Sequence, residues 1–171
     1  MTRKPDTEFS EFVRRRGKHH LRTAVLLTGD WHSAEDLVQS CLLKLYRVWP
    51  RLDTGTDPDA YLRRILVNTH RSWWQVRWRR EVPIASAPDV PDEQDDRAVA
   101  IALRAALRRL PARQRLALVL RYFEDLPEAQ VAELMGCSVG SVKTHAHRGI
   151  RRLRELLPDV NELPAPARGK R

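Results

Sequence analysis

The chain has 171 residues, 31 of them Lys or Arg against 22 Asp or Glu, giving a formal net charge of +9. That length allows one medium domain or two small ones, and the charge points to a polyanionic partner, most simply nucleic acid. Only two cysteines, a polar start (MTRKPDTEF) and no apolar run near the ~20 residues of a membrane span argue against a disulfide scaffold, a signal peptide and a transmembrane protein, so a cytoplasmic protein is expected.

From Phe9 the apolar residues Phe9, Phe12, Val13, Leu21, Ala24, Val25 and Leu27 fit one or two helices. Thr28-Gly29-Asp30 stops them. Ser33 is expected to cap the next helix, with Asp36 three residues on. There Ala34, Leu37, Val38, Cys41, Leu42, Leu45 and Trp49 form one apolar stripe, ended by Pro50. A polar strip of Glu35, Asp36, Gln39, Ser40 and Lys44 remains, either a solvated face or a docking face. After a turn-like stretch from Arg51 to Pro58, Asp57 or Asp59 can cap a third helix through Ala60, Tyr61, Ile65 and Leu66. The basic segment RSWWQVRWRR, Arg71 to Arg80, follows. Its Trp rings can stack on bases and its arginines can neutralise a backbone. Alternatively, Trp74 or Trp78 belongs to the core with arginines as wet neighbours.

Composition then changes abruptly. EVPIASAPDVPDEQDD, Glu81 to Asp96, holds three prolines and six acids but no Lys or Arg. It reads as an extended linker between two helical domains. Helical spacing resumes at Val99, Ala102, Leu103, Ala106, Leu107 and Leu110, and again over Leu116, Val119, Leu120, Tyr122 and Phe123. Pro127 opens a short helix through Val131, Ala132, Leu134 and Met135. Gly136 suits a turn needing positive φ, and Ser138 suits the N-cap of a last helix to Leu157. Two short helices joined this way form a helix-turn-helix. No strand pattern is present.

A helical wheel puts Val139, Val142, Ala146, Ile150 and Leu153 on the buried side of the last helix. Gly140, Thr144, His147, Arg148 and Arg151 lie opposite, with Ser141, Lys143, His145 and Arg152 on the flanks. Such a face can enter a DNA groove, with Arg148 suited to guanine and Thr144 and His147 to base edges. Lys143, Arg151 and Arg152 suit phosphates. A merely solvated basic face is the alternative. His145 and His147 point about 200° apart and cannot share a metal ion. There is no CxxC, HExxH, P-loop or nucleophile constellation, so no metal, cofactor or catalytic residue is expected.

Three stretches together resemble a bacterial sigma factor of the extracytoplasmic-function group, the small sigma-70 type with regions 2 and 4 only, over about Phe9 to Leu157. TGDWHSAEDLVQ is similar to the part that grips the β′ clamp helices of RNA polymerase. DPDAYLRRILVNTHRSWW is similar to the part that melts and reads the −10 element, and LPARQRLALVLRYFEDLPEAQVAELMGCSVGSVKTHAHRGIRRLREL to the part that reads the −35 element. The resemblance implies an all-α fold of two small helical domains joined by an acidic, Pro-rich linker, the second a four-helix helix-turn-helix domain. Its divisions would be 8–80 (region 2), 81–96 (linker), 97–157 (region 4) and 158–171 (a disordered basic tail).

The resemblance also assigns roles. Glu35, Asp36, Gln39 and Lys44 would bind polymerase, whose β′ clamp helices and β flap are the implied contacts. Asn68 would end the third helix, where a loop captures a flipped −10 base. Asn68, Thr69, His70, Arg71, Trp73, Trp74, Arg77 and Arg80 are the −10 candidates. Ser141, Lys143, Thr144, His147, Arg148 and Arg151 are the −35 candidates. Promoter DNA and core RNA polymerase are the implied partners, and the family admits an anti-sigma protein. The chain departs from the group at Ser40, where an acid is usual, and at His145 and His147, where Arg or aromatic residues are common. Two rivals remain: a dimeric operator-binding regulator, since GSVKTHAHRGIRRL is also similar to a LuxR-type recognition helix, and a polymerase- or RNA-binding adaptor.

Overall fold

The computed structural model describes residues 5–80 and 97–157, with side chains over 6–76 and 99–157. The expected linker (81–96) and tail (158–171) lie outside the described residues. The first apolar pattern resolves into one 24-residue helix, α1 (Pro5–Thr28). Gly29, at φ 88°, reverses the chain. Asp30, not Ser33, caps α2 (Trp31–Val48): its carboxylate accepts from the Ser33 amide at 2.8 Å. Both residue types can cap, and the turn places Asp30 one step outside the helix while Ser33 already lies within it.

The α2 stripe buries Ala34, Leu37, Val38, Cys41 and Leu45 as its spacing predicts. Leu42 and Trp49 pack around this core half-buried. Phe9 meets Tyr46 and Trp49 edge-on, with ring centroids 5.0 and 5.2 Å apart, which ties the start of α1 to the end of α2. A short 3-10 turn at Trp49–Arg51 leads to the turn before α3 (Pro58–Arg80). Asp57 caps α3, its side chain accepting from the Asp59 amide at 2.9 Å.

α3 runs unbroken past Asn68, so the loop expected there is not formed. Nothing in LVNTHRS breaks a helix, because the stretch holds neither Gly nor Pro. Leu62, Leu66 and His70 recur every four residues, with Val67 and Thr69 beside them, and all five are buried.

The second half holds the four expected helices: α4 (Arg97–Arg108), α5 (Ala112–Leu118), α6 (Glu128–Met135) and α7 (Val139–Leu156). A π-helical segment, Val119–Phe123, extends α5. Gly136 takes the left-handed conformation at the end of α6, φ 62° and ψ 44°, where a Cβ would be strained. Ser138 caps α7, its hydroxyl accepting from the Ser141 amide at 3.1 Å.

The two halves are packed together. One apolar cluster joins Leu27, Leu37, Leu62 and Val67 of the first to Leu116, Leu120, Val131 and Val142 of the second. A smaller cluster of Leu107, Leu110, Ile150 and Leu153 lies within the second half. Each such leucine stabilises the fold by about 1.5–3 kcal/mol relative to exposure. No described helix is long and apolar enough to cross a membrane.

Candidate nucleic-acid interface

α7 sorts its side chains much as its wheel requires. Val142, Ala146, Gly149, Ile150 and Leu153 are buried, while Lys143, Thr144, His147, Arg148 and Arg151 are exposed. Val139 departs from the wheel and is 38% exposed, because it begins the first turn before α7 reaches its neighbours. Thr144 donates its hydroxyl proton to the Gly140 carbonyl at 3.0 Å, which leaves its lone pairs and methyl group facing out. Lys143 Nζ lies 3.6 Å from Glu128, a surface pair that a phosphate can displace at small cost. Ser141 is half-buried, its hydroxyl 2.9 Å from that of Ser138. It therefore belongs to the cap as much as to the reading face. His145 is half-buried, and burial together with the Arg113 and Arg148 charges pushes it below its ordinary value, which favours the neutral ring.

The −10 candidates are arranged differently. Asn68 and Trp74 are exposed, and Arg71 and Trp73 half-buried. Thr69 and His70 are buried, because in a continuous helix adjacent residues turn by about 100° and cannot all face out. Thr69 accepts a hydrogen bond from Lys44 Nζ at 2.9 Å, so a polymerase candidate and a −10 candidate are bonded to each other. Burial, then the Arg115 charge, lowers the His70 pKa to about 4 against a hydrogen bond to the Leu27 backbone. Arg115 is itself pushed down to about 10, by burial and by Arg108. Arg71 Nη1 donates to the Leu134 carbonyl at 3.4 Å, so helix-turn-helix backbone occupies this arginine. The side chains of Arg77 and Arg80 lie outside the described set.

On α2, Glu35, Asp36, Gln39 and Lys44 are exposed along one strip, with Ser40 half-buried beside them. Asp36 lies 3.8 Å from His32, both exposed. Leu43, at 61% exposed, stands next to Lys44 and gives this strip an apolar contact that the polar reading overlooked. Its place outside the three-and-four stripe was the available signal.

The sequence reading also missed a part-buried ionic chain that runs within the first half and on to the second. Arg16 grips Asp59 with two hydrogen bonds, at 2.7 and 2.8 Å, and His20 adds a third at 2.9 Å. Burial alone would raise the Asp59 carboxyl, but these bonds and the adjacent charges lower it to about 2. Arg63 reaches from Asp59, at 3.2 Å, to Glu124, at 2.8 Å. Glu124 belongs to the turn between the π-helical segment and α6. Its carboxylate is buried and also meets Thr23 Oγ1, and His19 at 3.0 Å. Burial opposes its charge, yet the bonds from Thr23, Arg63 and His19 hold it below the usual carboxylate value. An acidic pair, Glu124-Asp125, set between Phe123 and Leu126 was the only sequence signal for it.

Among the described residues no cluster of His, Cys, Asp and Glu is placed to hold a metal ion. Comparison with known proteins matches residues 12–80 to the family model "Sigma-70 region 2" and residues 100–153 to "Sigma-70, region 4". The RNA polymerase sigma-E factor of Streptomyces coelicolor is 38% identical over 88% of this chain and 86% of its own. An ECF RNA polymerase sigma factor of Mycolicibacterium smegmatis, SigE, is 31% identical over 87% of this chain and 61% of its own. Among solved structures, the sigma factor RpoE of Bartonella quintana, crystallised with the anti-sigma factor NepR, superposes with a TM-score of 0.76 at 27% identity, covering 89% of this chain and 98% of that one. Two polar faces on separate helical units, one of them a helix-turn-helix, thus coincide with two matched regions in the same order, and the chain belongs to the sigma-70 family as an extracytoplasmic-function sigma factor, which directs RNA polymerase to promoters in transcription initiation.

Proposed function

We propose that the two halves divide this work by face. Glu35, Asp36, Gln39 and Lys44 on α2 contact core polymerase, with Leu43 as the apolar centre of that contact. Thr144, His147 and Arg148 read the −35 element, while Lys143 and Arg151 hold its phosphates and Ser141 supports the helix start. Asn68, Arg71, Trp73 and Trp74 engage the −10 element, with Arg77 and Arg80 continuing along the strand. Thr69 and His70 join them only where α3 and its cover rearrange.

Melting in this scheme uses captured, unstacked bases and stacking on Trp, worth about 1–3 kcal/mol per base. The chain catalyses nothing itself and acts in the cytoplasm. An anti-sigma factor is a further partner, by analogy with the solved relative that carries one. The observation that carries this reading is the exposure of Thr144, His147 and Arg148 on one side of a capped helix-turn-helix. An operator-binding regulator would use the same face, but the family match over 12–80 favours a factor that works on polymerase.

The decisive experiment mixes the purified chain with core polymerase and follows transcription from a promoter library. Enrichment of promoters sharing two spaced elements is expected. Failure to join core polymerase, or binding to a palindromic site without it, would overturn the reading.

A further inference from the structure

Where α1, α4, the π-helical segment and α7 meet, the apolar cover is incomplete. Leu26, Leu103, Leu107, Tyr122, Phe123 and Leu153 line an open groove of about 210 Å³ whose wall carries no charged side chain. Tyr122 and Phe123 are exposed at its edge. His19 covers one face of the Phe123 ring, with centroids 5.3 Å apart and planes 11° apart, and the groove takes up the rest. Val99 stands one turn before Leu103 on the same stripe of α4 and is exposed as well. A contiguous apolar surface of this kind marks a place that something else occupies. A dry cavity of ~150 Å³ takes up a benzene-sized group, so this groove has room for one or two aliphatic side chains.

The chain carries a segment that fits. α7 ends in the wall of the groove: Leu153 lines it, and Leu156 and Leu157 pack half-buried on the apolar cluster beneath. Leu157 leaves helical geometry, at φ −128° and ψ 68°. The sequence then continues as PDVNELPAPARGKR, residues 158–171, outside the described set. Pro158 is a residue that stops α7 from running on past the groove. Val160 and Leu163 are the aliphatic residues that follow it. Leu157 to Leu163 spans at most about 20 Å even when fully extended, so both stay close to a groove that begins one turn back.

Charge agrees with shape. Asp159 and Glu162 flank Val160 and Leu163, and arginines stand beside the groove residues: Arg22 one turn before Leu26, Arg104 next to Leu103 and Arg154 next to Leu153. An apolar pair set among acids thus faces an apolar groove set among bases, which fixes register as well as contact. The segment 81–96 fits less well. Its nearest aliphatic residue, Val90, precedes Leu103 by thirteen positions with four acids between, whereas Val160 follows Leu153 by seven.

We propose that the segment after α7 folds back and seats Val160 and Leu163 in this groove, so that the free factor covers its own apolar surface.

The test uses the full-length chain. Val160→Cys, in a Cys137→Ser background, carries a benzophenone maleimide, while the buried Cys41 stays unlabelled. Irradiation at low protein concentration should give adducts within one chain, on α4 and on Tyr122 and Phe123. Adding Leu163→Asp should cut their yield several-fold. In a second measurement, Val160→Asp together with Leu163→Asp should raise bis-ANS fluorescence several-fold with helix content unchanged, since neither position belongs to a described helix. Adducts that join two chains would make a second copy the occupant and overturn the proposal. Adducts away from the groove, or dye binding that does not rise, would overturn it equally.

Discussion

The two helices that carry the candidate DNA-binding residues of this sigma factor are presented in opposite states. α7 exposes Thr144, His147 and Arg148 from a helix fixed at both ends of its buried stripe. α3 keeps Thr69 and His70 buried and Arg71 engaged on the other half. The difference follows from what each helix packs on. α7 completes a small local bundle, so its outer face has no competitor. α3 lies between α2 and the helix-turn-helix half, so its outer face is partly covered by protein. How far a candidate reading face is exposed is thus a matter of packing partners as well as of side-chain chemistry.

The largest expected effect tests the shared core. Leu66→Ala removes a fully buried side chain between the halves and should cost about 2–5 kcal/mol in denaturant unfolding. Loss of under 1 kcal/mol would show that α3 is not packed as described. Next comes acid. His70 is neutral in the folded chain, with a pKa of about 4 against an ordinary 6.5. A base held neutral gives full stability above about pH 6.5 and loses it as pH falls toward 4, roughly 3 kcal/mol over the window. Asp59, held at about 2, and Glu124, held below its ordinary value, add to the loss only as the pH reaches the range where the unfolded carboxyls take up protons, near 4, so they contribute little above about pH 5. His20 shifts in the same direction as His70, so urea unfolding at pH 7 and 4.5 should be compared with a His70→Gln variant. The variant should show a clearly smaller acid loss, and an unchanged loss would move the effect elsewhere.

The exposed helix should respond in binding and not in stability. Arg148→Ala should weaken discrimination at one −35 position by about 1–3 kcal/mol. Polymerase binding and unfolding should be unaltered. If promoter preference is untouched, the reading face is misassigned. The smallest effect is at its cap: Ser138→Ala should lower thermal stability by about 1 kcal/mol, since only the Ser141 amide loses its partner. A neutral result would mean that the cap geometry is not used.

What was legible in the sequence was local. The stripe of α2, the left-handed Gly136, the Ser138 cap and the sorted faces of α7 all depend on residues within two turns of each other. The all-α fold class follows from them, while the family came from the resemblance of three longer stretches in order. The α2 cap was misplaced by three residues because Asp30 and Ser33 are equally good caps on composition alone. The third helix was expected to end at Asn68 in a loop, whereas no breaking residue interrupts α3 there. Beyond the Glu124-Asp125 pair, nothing in the sequence pointed to the ionic chain: Thr23 meets Glu124 across 101 positions and Arg63 meets it across 61. No periodicity encodes a partner at that range. The acidic linker suggested independent halves, and only the folded chain reveals how closely they pack.

The contrast between an open and a covered reading helix is tested most directly by a distance. Donor and acceptor dyes on Arg47→Cys of α2 and Glu155→Cys of α7, both exposed sites, report the separation of the halves once Cys137 is replaced by serine. The account predicts efficient energy transfer in the free factor that falls sharply on addition of core polymerase. Transfer that is already low in the free factor, or unchanged when polymerase binds, would contradict it.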